Sequence, residues 1–270
     1  MGISILYISE VVGKAGIWCV KTALPKVKAS ERPDLVIVNG DGATASHGLG
    51  RQHAGYLRKL GADSITGGDS SFFKKDLVEA LDALPFVLRP ANYPPQSPGR
   101  GWRFFNAGKA RVAVVSLIGR VGFNRVHGDN PFTLLPALSE RLRQETPYVI
   151  VDFHGAATAE KQAFFWHADG KVSAVIGSHG RVATSDETVL PLGTGVITDA
   201  GRTGSLDSVG GCESESKIRE YITRIPDWSR DAWARPALQG VVLDLDDSGK
   251  TRSIRRINVD CGTPPAAETR

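Results

Sequence analysis

A chain of 270 residues with 41% hydrophobic content is long enough to bury a large core, and nothing in its composition requires a second domain. We therefore expect one domain over residues 1–261 and a disordered tail over 262–270, which has two prolines and no apolar period. The net charge is +4, from 33 basic and 29 acidic residues that are dispersed along the chain. The densest basic run, at Arg252, Arg255 and Arg256, is more typical of a solvated strand face than of a nucleic-acid footprint.

The cysteines and the apolar runs indicate the compartment. Cys19, Cys212 and Cys261 lie far apart without a Cys-x-x-Cys spacing, which excludes a disulfide framework and a zinc knuckle. The first apolar run is too short for a signal sequence, and no stretch approaches the roughly 20 apolar residues of a membrane span. We predict a cytoplasmic protein without a membrane partner, one that forms a homo-oligomer or binds another protein.

Short apolar, β-rich runs alternate with amphipathic segments through the first two-thirds of the chain. In chain order, the predicted elements are strand 3–8, helix 14–29, strand 35–39, helix 50–60, strand 64–66, helix 74–83, strand 111–117, helix 136–145, strand 148–153, helix 159–168, strand 174–177 and strand 195–199. Such alternation is typical of βαβ units.

The remaining segments are a loop, a late helix and a hairpin. Four prolines exclude a helix over residues 89–101. In the late helix, Ile218, Tyr221, Ile222 and Ile225 fall at i, i+3, i+4 and i+7, which predicts one apolar stripe facing the core. Two strands, 238–246 and 251–258, then flank an Asp-Ser-Gly-Lys turn.

Five predicted strands end in polar loops that carry a carboxylate or an imidazole. These residues are Glu10, Asp41, Asp69, His154 and His179. In α/β sheets, ligands gather at the carboxyl ends of the strands, so the five side chains are expected to share one site. Carboxylates and imidazoles together suit a divalent ion such as Mn, Fe or Zn.

Each of these residues also has a purely structural interpretation. Glu10 and Asp41 could cap the helices that follow them, and Asp69 could be an ordinary turn residue. A single histidine after a strand is more often a hydrogen-bonded structural residue than a ligand. The shared-site interpretation therefore depends on all five occurring together.

Several loops of the chain resemble those of one known family. The most specific are Glu10-Val11-Val12-Gly13, Asn39-Gly40, Gly61-Ala62-Asp63, Arg89-Pro90-Ala91-Asn92-Tyr93-Pro94, Thr146-Pro147-Tyr148 leading to Asp152-Phe153-His154, and Ile197-Thr198-Asp199. From Ile3 to about Asn258 the sequence resembles the YmdB-like branch of the calcineurin-like metallophosphoesterases, which is associated with 2',3'-cyclic-nucleotide 2'-phosphodiesterase activity. The resemblance implies an α/β fold, the four-layer αββα sandwich with two mixed sheets flanked by helices.

The resemblance also implies where the family's two-metal site falls, and most of its positions are altered here. Glu10 occupies the position of the family's first-strand Asp. Asp41 stands where the family has the bridging Glu, and Gly42 where it has the neighbouring Asn. Asp69 occupies the position of the Asn ligand, and Ser70 that of the His that resembles the family's general acid. Of three later histidines, His154 and His179 remain and the last is Arg181.

These changes predict at most one divalent ion, or none, held by Asp41, Asp69, His154 and His179, with Glu10 as a weaker candidate. Arginine has no lone pair to donate, so Arg181 is expected to replace the first metal and to pair with Glu10 or Asp41. No confident catalytic residue remains, because the Ser70 hydroxyl cannot protonate a leaving group near neutral pH as imidazole can.

Three functions follow, in order of preference. The first is a catalytically impaired or repurposed relative with a structural or regulatory role. The second is a phosphoesterase that uses one metal and an altered substrate. The third is a basic nucleic-acid-binding module, which the dispersed charge makes the least favoured.

Overall fold

The computed structural model describes residues 2–123, 128–227 and 230–264. Its strands are β1 Ile3–Ile8, β2 Glu10–Val11, β3 Leu35–Asn39, β4 Ser64–Thr66, β5 Val87–Leu88, β6 Trp102–Ala107, β7 Ala110–Ile118, β8 Val149–His154, β9 Ala174–Ser178, β10 Thr188–Val189, β11 Gly195–Ile197, β12 Arg202–Ser205, β13 Pro236–Leu245 and β14 Thr251–Asp260. Its helices are α1 Gly13–Glu31, α2 Arg51–Leu60, α3 Lys75–Val78, α4 Pro131–Arg143, α5 Thr158–Ala168 and α6 Ser214–Thr223, with a 3-10 turn at Leu81–Ala83.

The strands form two mixed sheets. The first has the order β2-β12-β13-β1-β3-β4-β5, with β14 also pairing β13. Within it, β1, β3, β4 and β5 are parallel, whereas β13 runs antiparallel to β1. The second sheet has the order β10-β11-β9-β8-β7-β6, parallel from β7 to β11 and antiparallel at both edges.

Three apolar layers hold the sheets and helices together. Between the sheets, Ile5 and Ile37 of the first pack in one cluster with Val114 and Ile150 of the second. On the outer face of the first sheet, side chains of α1 and α2 such as Leu24 and Leu57 fill a second cluster, and α4 and α5 cover the outer face of the second sheet. The result is the predicted four-layer αββα sandwich.

Most predicted elements are present, and their boundaries differ where capping decides them. Helix α4 begins at Pro131, five residues before its predicted start, because the Asn130 side chain caps it by accepting from Phe132 N. The predicted helix 74–83 is instead the short α3 and a 3-10 turn. Pro85 follows closely, and the residue before a proline is disfavoured in the helical region, so the helix cannot continue there.

The predicted orientation of the late helix is wrong. None of the residues of α6 is buried, and Ile218, Tyr221, Ile222 and Ile225 are all more than half exposed. The three apolar clusters of the described residues contain side chains of α1, α2, α4 and α5 but none of α6. Periodicity gave the helix an apolar stripe without specifying what covers it.

Two other predictions concern membrane-spanning helices and the C-terminal tail. No helix among the described residues is long and apolar enough to cross a membrane. Of the predicted tail, residues 262–264 form no helix or strand, and residues 265–270 lie outside the described part of the chain.

Candidate metal centre

Three of the five predicted site residues meet at the ends of neighbouring strands. Asp69 follows β4 of the first sheet, His154 is the last residue of β8, and His179 follows β9 of the second sheet. His154 Nε2 lies 2.8 Å from Asp69 Oδ1 and 3.1 Å from His179 Nδ1, and the latter two atoms are 3.4 Å apart. Ligand atoms around a tetrahedral ion at about 2.0–2.1 Å are spaced by about 3.3 Å. The donors thus fit one divalent ion of the Mn, Fe or Zn type.

Asp41 lies beside this group but is held by the backbone. Its Oδ2 is 3.7 Å from His154 Nε2. Its two oxygens accept hydrogen bonds from Gly68 N, at 2.5 Å, and from Ser70 N, at 3.1 Å. A carboxylate oxygen retains a further lone pair, so Asp41 remains within reach as a fourth ligand, while its first task is to shape the loop that carries Asp69.

Gly68 allows the loop to approach the imidazole. A Cβ at this position would lie 2.4 Å from ring atoms of His154, well inside van der Waals contact. Any side chain here would separate Asp69 from His154 and open the three-donor cluster.

In the ion-free protein, the imidazole and the carboxylates of the cluster shift one another's pKa values. Burial lowers the pKa of His154, but its hydrogen bond to Asp69 and the nearby carboxylates of Asp41 and Glu10 outweigh burial and raise the value to about 9. Burial raises the pKa of Asp41, the His154 charge lowers it and the other carboxylates raise it, to about 7. Burial also raises the pKa of Asp69, but its hydrogen bonds to His154 and His179 bring it well below the usual range. A cation in the cluster would take the place of the proton on His154.

A buried hydrogen-bond chain orients His154. Its Nδ1 lies 3.1 Å from Ser178 Oγ, which donates to Asp152 Oδ1 at 2.7 Å. Because the single hydroxyl proton of Ser178 points to Asp152, Nδ1 must be the donor to Ser178. The Nε2 atom therefore faces Asp69 and His179. The other oxygen of Asp152 accepts from Tyr7, Asn39 and Thr66 of the first sheet, which ties both sheets to this ligand.

Removing the Ser178 hydroxyl should weaken metal binding without removing a ligand. We expect Ser178→Ala to lower Mn²⁺ affinity by about 10- to 100-fold, the range for partners that orient ligating histidines. Isothermal titration of ion-free protein measures this. Ser139→Ala is the matched control, since that buried hydroxyl bonds to the Pro136 carbonyl within α4. Equal affinities for the two variants would remove Ser178 from the site.

The predicted ion pair of Arg181 is confirmed. Arg181 Nη2 and Nε lie 2.6 and 2.9 Å from Glu10 Oε1. The same guanidinium donates to the Ser46 and Gly210 carbonyls, so four of its five N–H groups are engaged. The Glu10 side chain is 2% exposed and that of Arg181 17%. Glu10 therefore faces a guanidinium and lies outside the three-donor cluster.

Gly42 makes room for this ion pair. A Cβ on Gly42 would lie 2.9 Å from both Arg181 Nη2 and Glu10 Oε1, and 3.0 Å from the Val11 carbonyl oxygen. The side chain that the family resemblance places at this position would occupy the space that the guanidinium fills. The glycine at 42 and the arginine at 181 are thus sterically linked.

A second buried ion pair holds the loop that carries His179 and Arg181. Lys161 Nζ lies 2.9 Å from Asp199 Oδ2, which also accepts from Gly180 N at 2.7 Å, and both side chains are nearly fully buried. His179 and Arg181 have φ of 90° and 56°, a left-handed conformation that costs about 1–3 kcal/mol for residues with side chains. The bond to Gly180 fixes the backbone between them.

Sequence reasoning missed the residues that support the ligands. Asp152 and Asp199 lie in segments that carry the family resemblance, but no spacing in the sequence indicated that they, Ser178 or Lys161 support the ligands. Phe123 was also missed: its ring centroid is 5.0 Å from that of His179, and it stacks on His154 at 6.0 Å. Ser70, at the general-acid position, is buried and meets Asp41 through its backbone N–H.

Comparisons with known proteins decide the family. A family model described as YmdB-like protein matches residues 6–257. The chain belongs to the YmdB-like family. It is 39% identical over 246 residues to a 2',3'-cyclic-nucleotide 2'-phosphodiesterase of Bacillus subtilis (strain 168), covering 91% of this chain and 92% of that protein.

Solved structures agree with this assignment. A phosphatase from Mycoplasma pneumoniae superposes on this YmdB-like chain with a TM-score of 0.90 at 29% identity, covering 96% and 94% of the two chains. A hypothetical protein from Thermus thermophilus gives a TM-score of 0.87 at 33% identity, covering 96% and 99%. A 5'-nucleotidase precursor from the same organism, at 13% identity, a TM-score of 0.60 and 96% and 54% coverage, shares the fold alone. The YmdB-like chain is thus a calcineurin-like metallophosphoesterase in fold, and its family implies a divalent metal.

Proposed function

We propose that this YmdB-like chain binds phosphoesters at a single-ion centre and hydrolyses 2',3'-cyclic nucleotides poorly or not at all, as a repurposed member of a phosphodiesterase family. One observation carries the proposal: Arg181 and Glu10 form a buried ion pair. By the family resemblance, this is where the first metal would lie.

The guanidinium and a first metal exclude each other. A divalent ion about 4 Å from a guanidinium would be repelled by on the order of 8 kcal/mol at an effective dielectric of about 20. Arg181 also cannot substitute for the ion as a phosphate clamp. Four of its five N–H groups already donate to protein oxygens, so only one is left for a substrate oxygen. The clamp that two ions place on the entering and leaving oxygens is therefore lost.

The remaining centre keeps the means to bind an ion and an anionic ligand. Asp69, His154 and His179 would hold the ion, with Asp41 as a fourth candidate, and the ion would supply Lewis-acid polarisation of a phosphoryl oxygen. Phe123 covers both imidazoles and restricts the approach of a ligand. With Ser70 in place of a histidine, no side chain at that position can supply the leaving-group proton.

Metal content tests the single-ion centre. Protein purified without chelator and supplied with Mn²⁺ is expected to retain at most one ion per chain by elemental analysis, because the three-donor cluster offers one place for it. Asp69→Ala should abolish retention, while Asp63→Ala, a surface carboxylate paired with Arg58, should not change it. Two tightly held ions per chain would contradict the proposal.

A second candidate function is a single-metal phosphoesterase with an altered substrate. The environment of one oxygen atom of Glu10 supports it. Glu10 Oε2 is buried and has no hydrogen-bond partner among the described residues. A desolvated, unpartnered carboxylate oxygen can act as a general base. Turnover of a phosphoester by the unmodified protein, lost in Glu10→Gln, would favour this candidate. The predicted homo-oligomer or protein partner stays a proposal that light scattering of the purified chain can test.

A further inference from the structure

A second polar cavity lies along β6, at the edge of the second sheet. It has a volume of about 780 Å³ and is bounded by the loop 89–101, β6 and α4. Among the residues that the structure describes, five arginines and no acidic residue line it: Arg89, Arg100, Arg103, Arg111 and Arg141. We call this cavity the arginine groove. Such a concentration of one charge indicates an anionic ligand.

The positive charge of the groove is largely uncompensated by the protein. Arg111 is ion-paired with Glu145, at 3.1 Å, and both are about half exposed. For the other four arginines, the part of the chain that the structure describes supplies no carboxylate within salt-bridge distance. Arg89 is 7% exposed, and its Nε has no hydrogen-bond partner among the described residues. Its Nη1 and Nη2 donate to the Pro90 and Ser97 carbonyls at 2.8 and 3.4 Å. A buried guanidinium without a counter-charge costs free energy that a bound anion would offset.

Aromatic rings lie between these arginines. Trp102 and Phe104 are two residues apart on β6 and so point to the same face. The Arg141 guanidinium lies 5.2 Å from the Trp102 ring centroid, and that of Arg111 lies 4.5 Å from the Phe104 centroid. Grooves that combine basic residues with aromatic planes bind phosphates and stack bases.

We propose that the arginine groove binds single-stranded nucleic acid, with the backbone phosphates on the arginines and bases stacked against the Trp102 and Phe104 region. The sequence argued against this partner because it showed one basic run, which the structure neutralises through the pairs Arg255–Glu31 and Arg256–Glu187. The groove arginines are dispersed over more than 50 positions of the chain and meet through folding.

The arginine groove lies next to the candidate metal centre, but ligand binding in the groove does not require a metal ion. Tyr93 lines the groove, and its hydroxyl donates to the Gly68 carbonyl at 3.2 Å. Gly68 belongs to the loop that carries Asp69. A strand bound in the groove would therefore run toward the metal centre, but binding itself is a property of the arginines and rings and can be measured in ion-free protein.

Fluorescence anisotropy with a labelled 12-nucleotide single-stranded RNA, in EDTA, tests the proposal. We expect log Kd to depend steeply on log salt, and the double variant R100A/R141A to reduce the slope by about 1.4, since each phosphate contact to a single strand contributes about 0.7. Affinity should fall at least about tenfold near 0.1 M salt. Both side chains are exposed, so the variant is expected to fold.

The control variant is R219A/R252A, which removes the same charge from exposed positions outside the groove. It should bind within about twofold of the unmodified protein, because net charge alone acts weakly across a Debye length. Equal losses in the two double variants, or no binding by the unmodified protein, would overturn the proposal. Inorganic polyphosphate that competes as well as RNA at matched charge would also overturn it, because the rings would then contribute nothing.

Discussion

Replacing Arg181 with alanine is expected to lower the free energy of unfolding by about 3–5 kcal/mol, the cost of leaving one member of a buried ion pair without its partner. Glu10 is 2% exposed and would lose the guanidinium that balances its charge, next to the buried carboxyl of Asp41. Urea unfolding followed by circular dichroism measures the change. The control is Arg219→Ala, whose partner Asp227 is 3.6 Å away and partly exposed, and which should cost about 0–1 kcal/mol.

Manganese should restore much of this loss in Arg181→Ala. With the guanidinium removed, Glu10 and Asp41 can accept a divalent ion, and a ligand at 100 times its Kd stabilises the folded state by about 2.7 kcal/mol. The unmodified protein should gain stabilisation from the three-donor cluster alone, so the variant should gain more from Mn²⁺. Equal stabilisation of Arg181→Ala and the unmodified protein by Mn²⁺ would show that the ion pair does not replace a metal.

The ion pair could be predicted from the sequence, whereas the reason it fits could not. Opposite charges at positions 10 and 181 belong to one site by resemblance, so their pairing follows from electrostatics. That Gly42 provides the space for the guanidinium depends on the approach of three separate loops. Similarly, His154 was predicted as a ligand, but a serine after a strand carries no signal that it orients that histidine.

In the fold, too, features set by the local sequence could be predicted, whereas features set by tertiary packing could not. The buried strand Leu35–Asn39 is apolar up to its final asparagine and was predicted with its observed bounds. Strand β6 was missed because its apolar/polar alternation covers only Trp102 to Phe104 after a proline-rich loop, and a half-buried edge strand needs no long apolar run. The apolar stripe of α6 has the predicted helical period, but its side chains are exposed. Periodicity predicts the stripe and does not predict whether another element covers it.

Turnover of 2',3'-cyclic nucleotides by the unmodified protein is expected to be absent or marginal with Mn²⁺ supplied, at least about 10²- to 10⁴-fold below a related active enzyme. By the family resemblance, Ser70 stands at the general-acid histidine, Arg181 at a first-metal ligand and Gly42 at the neighbouring amide, so this proposal expects all three contributions to be lost. These losses act on one transition state and are not additive. The Bacillus subtilis relative, assayed in parallel, is the positive control, and a rate of about 1 per second or faster for this chain would make the proposal wrong.

Restoring the family residues together should recover metal binding before it recovers rate. The variant carries Glu10→Asp, Asp41→Glu, Gly42→Asn, Asp69→Asn, Ser70→His and Arg181→His. Gly42→Asn must accompany Arg181→His, because a Cβ at 42 would lie 2.9 Å from the guanidinium, and Gly42→Asn alone should therefore destabilise the fold. A second bound ion requires donors in place, but rate also requires their geometry within about 0.5 Å. Elemental analysis and a cyclic-nucleotide assay on the same preparation separate the two. Recovery of rate without a second ion would show that Arg181 never occupied a metal position.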